Sequence, residues 1–379
     1  MTVQAEYFTA SRLSLLLLCA ALAGCGGGSG GAATSSGSSA TTPTSTSGST
    51  PPAPPAPVVT TELDVVGNPV DVEATPSAGG VDALGNIYLA DVNLQQVTKI
   101  TPAGTASIYI GNTAAATVQY NLGAPGGLAV DAAGNVYVES NGNIVEVTPS
   151  GTVSTPWQTS VVYAPTSNAN NDNSSSAFPR QFAVDGAGNL YVTVACSGIV
   201  RKVTPSGAMS TLASGLGIET GQFLVGGEEG FITVCNGGAN GIAVDAAGNV
   251  YAVDTVNKVI LKITPDGSVT TLAGAVGVSG VVDGTGSGAN FAYPSMLSVD
   301  GSGNVYLTDS GLARMITPQG KVTTLVGGTG ANTPVVLPNS SAPEEYGAIV
   351  VLAFDASLYV TSNYSTDAWA LVRFDNLLP

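Results

Sequence analysis

Residues 241–254 read GIAVDAAGNVYAVD, and nearly the same phrase recurs along the rest of the chain. The other copies are AGGVDALGNIYLAD at 78–91, GLAVDAAGNVYVES at 127–140, QFAVDGAGNLYVTV at 181–194, MLSVDGSGNVYLTD at 296–309 and a shorter VLAFDASLYVTS at 351–362. Self-similarity at intervals of tens of residues is the signature of a repeat architecture. This repeat therefore predicts a fold built from similar structural units.

One repeat separates into four β-strands joined by tight turns. In the fourth copy the strands are IAV at 242–244, NVYAVD at 249–254, VILKI at 259–263 and SVTTLA at 268–273. The connecting segments DAAG and TPDG have the Asp-first or Pro-containing, Gly-ending pattern of β-turns. The anchor aspartates recur every 49 to 60 residues, at Asp82, Asp131, Asp185, Asp245, Asp300 and Asp355. This spacing suits a four-stranded propeller blade.

The strands are apolar on both faces, so each sheet must be covered on both sides by neighbouring sheets. A closed ring of sheets achieves this. The last repeat has room for only three strands before Pro379, whereas Val59-Thr60-Thr61 repeats the fourth-strand sequence Val-Thr-Thr found at 269–271 and 322–324. We therefore predict an all-β, six-bladed β-propeller, closed by a strand at 58–66 that completes the last blade.

The repeated phrases GLAVDAAGNVYVES…IVEVTPSG and GIAVDAAGNVYAVD…VILKITPDG resemble the NHL repeat over residues 58–379. This resemblance implies a six-bladed β-propeller. It implies little about activity, because the repeated residues are turn and core positions.

Composition excludes several classes of function. The net charge is −16, with ten Lys plus Arg scattered along the chain. Nucleic acid is therefore not expected as a partner, since phosphate backbones are bound by clustered basic residues. The chain has no histidine, which rules out Ser-His-Asp triads, Cys-His pairs and histidine-built zinc sites.

The N-terminal segment predicts export. Residues 12–25 read RLSLLLLCAALAGC, an apolar run too short to span a bilayer as a helix. Its last four residues, ending at Cys25, resemble the bacterial lipobox, and this resemblance implies cleavage and lipidation at Cys25. An ordinary secretory signal cut nearby is the alternative, and both export the protein.

Residues 26–57 contain almost only Gly, Ser, Thr, Ala and Pro, and cannot bury enough apolar surface to fold. We therefore expect a signal peptide over 1–25, a disordered linker over 26–57 and a propeller over 58–379. The protein is expected to be a monomer in the bacterial cell envelope, attached to the membrane only through the lipid anchor.

Three further aspartates end the second strands of their repeats: Asp91, Asp254 and Asp309. In a propeller these strand ends share one face with the long connections between blades. Carboxylates that converge there could bind calcium, which prefers oxygen ligands. Alternatively, each carboxylate caps its own turn. The anchor aspartates are expected to be structural.

The longest connections between repeats are 156–180, 214–240, 274–294 and 328–347. Functional residues concentrate in such loops, and aromatic side chains there could bind a sugar or a protein. Phe178 and Phe291 recur just before a first strand and are expected to seal the blade edge. The role of the other aromatic residues is open: Trp157, Tyr163, Phe223, Phe231 and Tyr293.

Cys196 and Cys235 fall on this same predicted face in adjacent blades. Because the protein is expected to be exported, a disulfide between them is predicted. Two buried, reduced cysteines are the alternative.

The sequence favours a binding or scaffolding propeller whose loop-rich face takes an envelope protein or a glycan. No catalytic or cofactor-binding residue is assigned, and no cofactor is expected beyond the calcium considered above. The alternative is a calcium-dependent hydrolase, since the lactonases of gluconolactonase type are related six-bladed propellers.

Overall fold

The computed structural model describes residues 58–62, 76–123, 125–158, 181–194, 198–216, 222–223, 232–233, 241–326, 348–354, 357–365 and 368–375. Regular structure in these ranges consists of β-strands and one short 3₁₀ segment, Gly286–Gly288. The predicted all-β propeller is confirmed. The predicted leader and linker, with Cys25, lie outside the described residues.

The first three blades follow the repeat along the chain. Blade 1 contains β2 (Pro76–Val81), β3 (Ile87–Asp91), β4 (Gln96–Ile100), β5 (Ala106–Gly111) and the short β6 (Val118–Gln119). Blade 2 contains β7 (Leu128–Val130), β8 (Val136–Ser140), β9 (Asn143–Val147) and β10 (Val153–Gln158). Blade 3 contains β11 (Phe182–Val184), β12 (Leu190–Val194), β13 (Ile199–Val203) and β14 (Met209–Ala213).

Two more blades follow, separated from blade 3 by the pair β15 (Gln222–Phe223) and β16 (Ile232–Thr233). Blade 4 contains β17 (Ile242–Val244), β18 (Val250–Asp254), β19 (Val259–Ile263) and β20 (Val269–Ala273). Blade 5 contains β22 (Pro294–Val299), β23 (Val305–Asp309), β24 (Leu312–Ile316) and β25 (Lys321–Val326), with β21 (Gly284–Thr285) added at its outer edge.

A further sheet joins the two ends of the propeller sequence. Its order is β1-β28-β27-β26, from β1 (Val58–Glu62), β26 (Ala348–Phe354), β27 (Ser357–Ser365) and β28 (Ala368–Asp375). β1 pairs antiparallel with β28, as expected for 58–62, whereas 63–66 lie outside the description. Five blades rather than the expected six are described with their side chains, because most side chains of this sheet fall outside the description.

Each first turn is organised by its anchor aspartate. In blade 4, one Asp245 carboxylate oxygen accepts hydrogen bonds from the backbone N–H groups of Ala247 and Asn249, at 3.0 and 2.8 Å. The other oxygen accepts from the Asn249 amide and the Tyr251 hydroxyl, at 2.8 and 3.1 Å. Gly248 has φ +80°, which favours glycine over residues with a side chain. The structural role expected for these aspartates is confirmed in the five blades.

The blades pack through their second strands. All five residues of β3, β8, β12, β18 and β23 are buried, because a neighbouring sheet covers each face. The first strands lie side by side, β2 beside β7, β7 beside β11, β11 beside β17 and β17 beside β22.

Every sheet consequently has two different ends. The turn end carries the turns between strands one and two and between strands three and four. The loop end carries the turn between strands two and three and the connections to the next blade. The candidate functional residues lie at the loop end.

Candidate functional site

At the loop end, the carboxylates of Asp91 and Asp254 each bond to the turn that follows. One Asp91 oxygen accepts from the N–H groups of Asn93 and Leu94, both at 2.8 Å. Asp254 accepts from the Asn257 backbone N–H at 2.8 Å and from the Asn257 side-chain amide at 2.9 Å. Both side chains are buried, so these bonds replace hydration that the carboxylates lose.

Asp309 has a different role. Its Oδ2 pairs with the Arg314 guanidinium at 2.7 Å, and both side chains are fully buried. Its Oδ1 accepts from the N–H groups of Ala292 and Tyr293, at 3.0 and 2.8 Å. Asp309 therefore holds the end of the long connection that precedes β22, as well as its own strand.

In the described structure these three aspartates make separate local contacts. Within the described ranges, no group of three or more Asp, Glu or Cys side chains could hold a metal ion. The hydrogen bonds support the alternative interpretation, in which each carboxylate stabilises local structure. Calcium binding at these aspartates stays a prediction.

The insertion between β20 and β22, residues 274–293, is the long connection that the structure describes completely. Arg314 fastens it, donating to the carbonyl oxygens of Val282 and Asn290 at 2.8 and 2.7 Å and to the Asp283 carboxylate at 3.0 Å. The guanidinium also lies 4.8 Å from the centre of the buried Phe291 ring. A buried cation with several bonded carbonyls favours one loop conformation.

The insertion presents apolar side chains to solvent. Val276 is 66% exposed, Val278 45% and Tyr293 74%, and Val256 of the neighbouring β18–β19 turn is 48% exposed. A hydrogen bond of 2.8 Å from Gly277 N–H to the Asn257 carbonyl joins the insertion to that turn. We call the side chains of Val256, Val276, Val278 and Tyr293 the Val–Tyr patch. The Lys258 ammonium lies 5.3 Å from the Tyr293 ring centre, within cation–π range.

The loop aromatics divide into different classes. Tyr293 is exposed and Phe291 is fully buried, as a sealing residue should be. Trp157 is 4% exposed, because blade 3 covers it and its indole N–H donates to the Thr204 carbonyl at 3.0 Å. Trp157 is therefore a buried residue between blades. Outside the described residues lie Tyr163, Phe178, Phe231 and both predicted disulfide cysteines, Cys196 and Cys235, as does the side chain of Phe223.

Glu139 is a candidate functional residue that was not predicted from the sequence. This residue in β8 is 7% exposed, and its Oε2 has no hydrogen-bond partner. Burial raises the pKa of Glu139 to about 7. Comparison of the repeats could have identified it, because the equivalent strand position is uncharged in the other four described blades. It holds Ala90, Thr193, Val253 and Thr308.

The first strands of three blades are bridged by one side chain. Gln181, which is 8% exposed, accepts hydrogen bonds through Oε1 from Ile242 N–H of blade 4 and Leu297 N–H of blade 5, at 3.3 and 3.2 Å. Gln181 directly precedes β11 of blade 3. A polar side chain therefore occupies the space between these innermost strands.

Among the described residues, no helix has the length and apolar character needed to cross a membrane.

No family model matches the sequence, and no curated protein matches it either. The NHL resemblance is therefore not confirmed. Solved structures do match. A protein of unknown function from Bacteroides thetaiotaomicron shares 16% identity, covers 82% of this chain and 71% of its own, and has a TM-score of 0.54.

Two other similar structures have described roles of their own. A B. thetaiotaomicron auxiliary nutrient binding protein is 14% identical, with 80% and 69% of the two chains covered and a TM-score of 0.49. A gluconolactonase from Xanthomonas campestris is also 14% identical, with 80% and 87% covered and a TM-score of 0.48. At these TM-scores neither carries an argument about this chain, and the first likeness supports the β-propeller fold alone.

Proposed function

We propose that this chain is an exported, lipid-anchored propeller that binds an envelope protein through its loop end. The observation that carries the proposal is the Val–Tyr patch on an insertion fastened by the buried Arg314. Apolar side chains held outward on a rigid loop favour association, because they leave water on binding without a large loss of loop entropy.

The chemistry of the patch favours a protein over a glycan. Valine side chains cannot stack on sugar rings, whereas they pack well against apolar side chains of a partner. Lys258 beside Tyr293 supplies one positive charge, which suits an acidic group at the rim of the partner's surface. A glycan would depend on Tyr293 and leave the valines without a role.

The described residues offer less to the lactonase alternative. The loop-end carboxylates of Asp91, Asp254 and Asp309 are occupied by turns or by Arg314. A second function is therefore not proposed.

The proposal includes a closed, six-bladed ring of NHL type. Closure of the ring is supported by the packing of β26 beside both β2 and β22, and by the pairing of β1 with β28 in the same sheet as β26. The NHL type rests on the repeated sequence alone. Closure through an N-terminal strand would join the two ends of the domain and protect the edges of its sheets.

Export and attachment rest on the sequence. We expect metabolic labelling with palmitate to modify the chain, and Cys25→Ser to abolish the labelling. Persistent labelling of Cys25→Ser would contradict lipidation at that residue.

For the proposed Cys196–Cys235 disulfide, the test is the mass change after alkylation with and without a reductant.

Site-specific photo-crosslinking in cells tests the binding function. A photoreactive residue replaces Val278 in the patch or, as the control, Leu84, which is 77% exposed at the turn end of blade 1. We expect a discrete protein adduct from position 278 that is absent from position 84. Tyr293→Ser should weaken the adduct at 278. Equal adducts at both positions, or none at 278, would overturn the proposal.

A further inference from the structure

A cavity of about 290 Å³ opens between blades 2 and 3 at the turn end, opposite the proposed binding face. Its polar surface includes Asp131 and Glu146, and its apolar walls include Trp157, Pro156 and Pro205. Tyr137 lies between the two carboxylates. The cavity therefore combines negative charge with aromatic and apolar surface.

The two carboxylates share the Tyr137 hydroxyl as a donor, in addition to the Asn135 amide that donates to Asp131 Oδ2 at 2.8 Å and the Ser154 hydroxyl that donates to Glu146 Oε2 at 2.7 Å. The Tyr137 hydroxyl lies 3.2 Å from Asp131 Oδ2 and 3.1 Å from Glu146 Oε1. A hydroxyl group has one hydrogen and can donate it to one of these oxygens at a time. One carboxylate oxygen thus faces another acceptor without a proton between them. A cation in the cavity would pair with the carboxylate oxygen that the Tyr137 proton does not reach.

The other blades show what this position normally holds. In strand register, the residue opposite the repeat tyrosine is lysine in blades 1, 3 and 4, methionine in blade 5 and glutamate in blade 2. The pairs are Tyr88 with Lys99, Tyr191 with Lys202, Tyr251 with Lys262, Tyr306 with Met315, and Tyr137 with Glu146. Each lysine ammonium lies 5.3 to 5.7 Å from its tyrosine ring centre. Blade 2 keeps the tyrosine and its aspartate but reverses the charge of the third residue.

Blade 1 provides a detailed template. There the Lys99 ammonium lies 5.3 Å from the Tyr88 ring centre and 5.8 Å from that of Tyr109, two rings whose centres are 5.2 Å apart. In blade 2, Tyr137 and Trp157 form the corresponding pair, with ring centres 5.7 Å apart.

The outer aromatic residue of each pair also makes the same contact with the next blade. The Tyr109 hydroxyl donates to the Thr148 carbonyl, and the Trp157 indole N–H donates to the Thr204 carbonyl. Blade 2 therefore reproduces the aromatic surroundings of an ammonium group without supplying the ammonium.

We propose that this cavity binds an organic ammonium ion, a primary amine on an alkyl chain, which takes the place that the lysine ammonium has in blades 1, 3 and 4. Glu146 and Asp131 bind the charged head. Trp157, Pro156 and Pro205 contact the alkyl part. Aromatic rings and carboxylates together favour an ammonium over a metal ion, which would gain nothing from the apolar walls.

Calorimetric titration of the purified chain tests this site with three probes: cadaverine, Nα-acetyl-lysine methylamide and calcium chloride. We expect saturable, one-to-one binding of an amine and none of calcium in this cavity. Binding of cadaverine alone identifies a free diamine as the ligand type, and binding of the lysine derivative alone identifies a lysine side chain. Binding of both supports recognition of the shared aminoalkyl group.

Two variants locate the binding. Glu146→Lys supplies the missing ammonium within the chain and should abolish binding, and its fold should survive because three other blades carry lysine there. Glu146→Gln should weaken binding about tenfold or more, the expected effect of losing one hydrogen bond to a charged group. Asp266→Asn removes an exposed charge outside the cavity and should leave binding unchanged.

Absence of amine binding, or binding that persists in Glu146→Lys, overturns the proposal. Calcium binding that Glu146→Lys abolishes would also overturn it, by identifying the site as a metal site. These outcomes are independent of the photo-crosslinking result, because the Val–Tyr patch and this cavity lie at opposite ends of the blades.

Discussion

The two ends of the blades use the same residue type in different ways. At the turn end, an aspartate accepts hydrogen bonds from the backbone of its turn, an asparagine and a tyrosine in each of the five blades. At the loop end, Asp91 and Asp254 cap turns, whereas Asp309 pairs with a buried arginine and holds an insertion.

The turn-end hydrogen bonds are therefore the same in every described blade, whereas the loop-end contacts differ from blade to blade. The turn-end network forms within one short segment, so every copy can build it without help from the next blade. The loop-end contacts depend on the connection that each blade happens to carry. The departures from uniformity are therefore the places to look for function: the insertion at 274–293, Glu139, and Glu146 at the turn end of blade 2.

The largest effect is expected from Asp309→Ala. This change leaves Arg314 buried without its 2.7 Å partner, and losing one member of a buried ion pair costs about 3–5 kcal/mol. Urea unfolding measures the free energy directly. Asp91→Ala, at the equivalent position of blade 1, removes only turn hydrogen bonds and should cost about 1–2 kcal/mol. Equal losses in the two variants would remove the distinction between these aspartates.

The next largest effect is a dependence of folding stability on pH that arises from Glu139. Burial raises the pKa of Glu139 from 4.5 to about 7. The folded state therefore binds this proton more tightly, so its contribution to stability is fully present below pH 4.5 and is lost as the pH rises through 7. Since each pKa unit corresponds to about 1.4 kcal/mol, the loss is about 3 kcal/mol.

Glu139→Gln cannot ionise and should be more stable than the parent at pH 8 but similar at pH 4. Unfolding midpoints measured between pH 4 and 8 test this expectation. Glu146→Gln, in the adjacent strand, is the control and should retain the parent's fall in stability with pH. Parallel profiles for Glu139→Gln and the parent would contradict it.

A somewhat smaller effect is expected from Asp245→Ala at the turn end. The change removes the acceptor of four hydrogen bonds, two of them to backbone N–H groups. Because the site is partly exposed and water can replace some of these bonds, we expect a loss of about 2 kcal/mol. Urea unfolding provides the measurement. Asp266→Ala, in the exposed second turn of the same blade, should be less damaging, and the reverse order would argue against the anchor role.

The smallest expected effect is an increase in thermal stability. Glu146→Lys brings blade 2 into line with blades 1, 3 and 4 by placing an ammonium near the Tyr137 ring. Cation–π contacts contribute about 0.5–1 kcal/mol at partly exposed sites, so the melting temperature should rise slightly. Lys262→Met is the matched opposite change and should lower it. Destabilisation by Glu146→Lys would mean that blade 2 cannot accept the arrangement of its sister blades.

The strands, the turns and the propeller fold were predictable from the repeat. Asp245 and Tyr251 are six positions apart, and such local bonds can be read from the order of residues. The presence of apolar residues on both strand faces likewise predicted covered sheets. The pairing predicted for 58–66, which is observed over 58–62, followed from the recurrence of Val-Thr-Thr.

The contacts between residues far apart in the sequence became clear only from the packing of the blades. Trp157 bonds to a carbonyl 47 positions away in blade 3, and Arg314 reaches Asp283, 31 positions earlier. The burial of Glu139, and the cavity left where Glu146 replaces lysine, depend in the same way on the neighbouring blade and connection. Local sequence determines the hydrogen bonds within a turn. The burial of a side chain and its long-range partners depend instead on the packing of segments far apart in the chain. Burial and long-range partners in turn determine the charge and binding properties of each site.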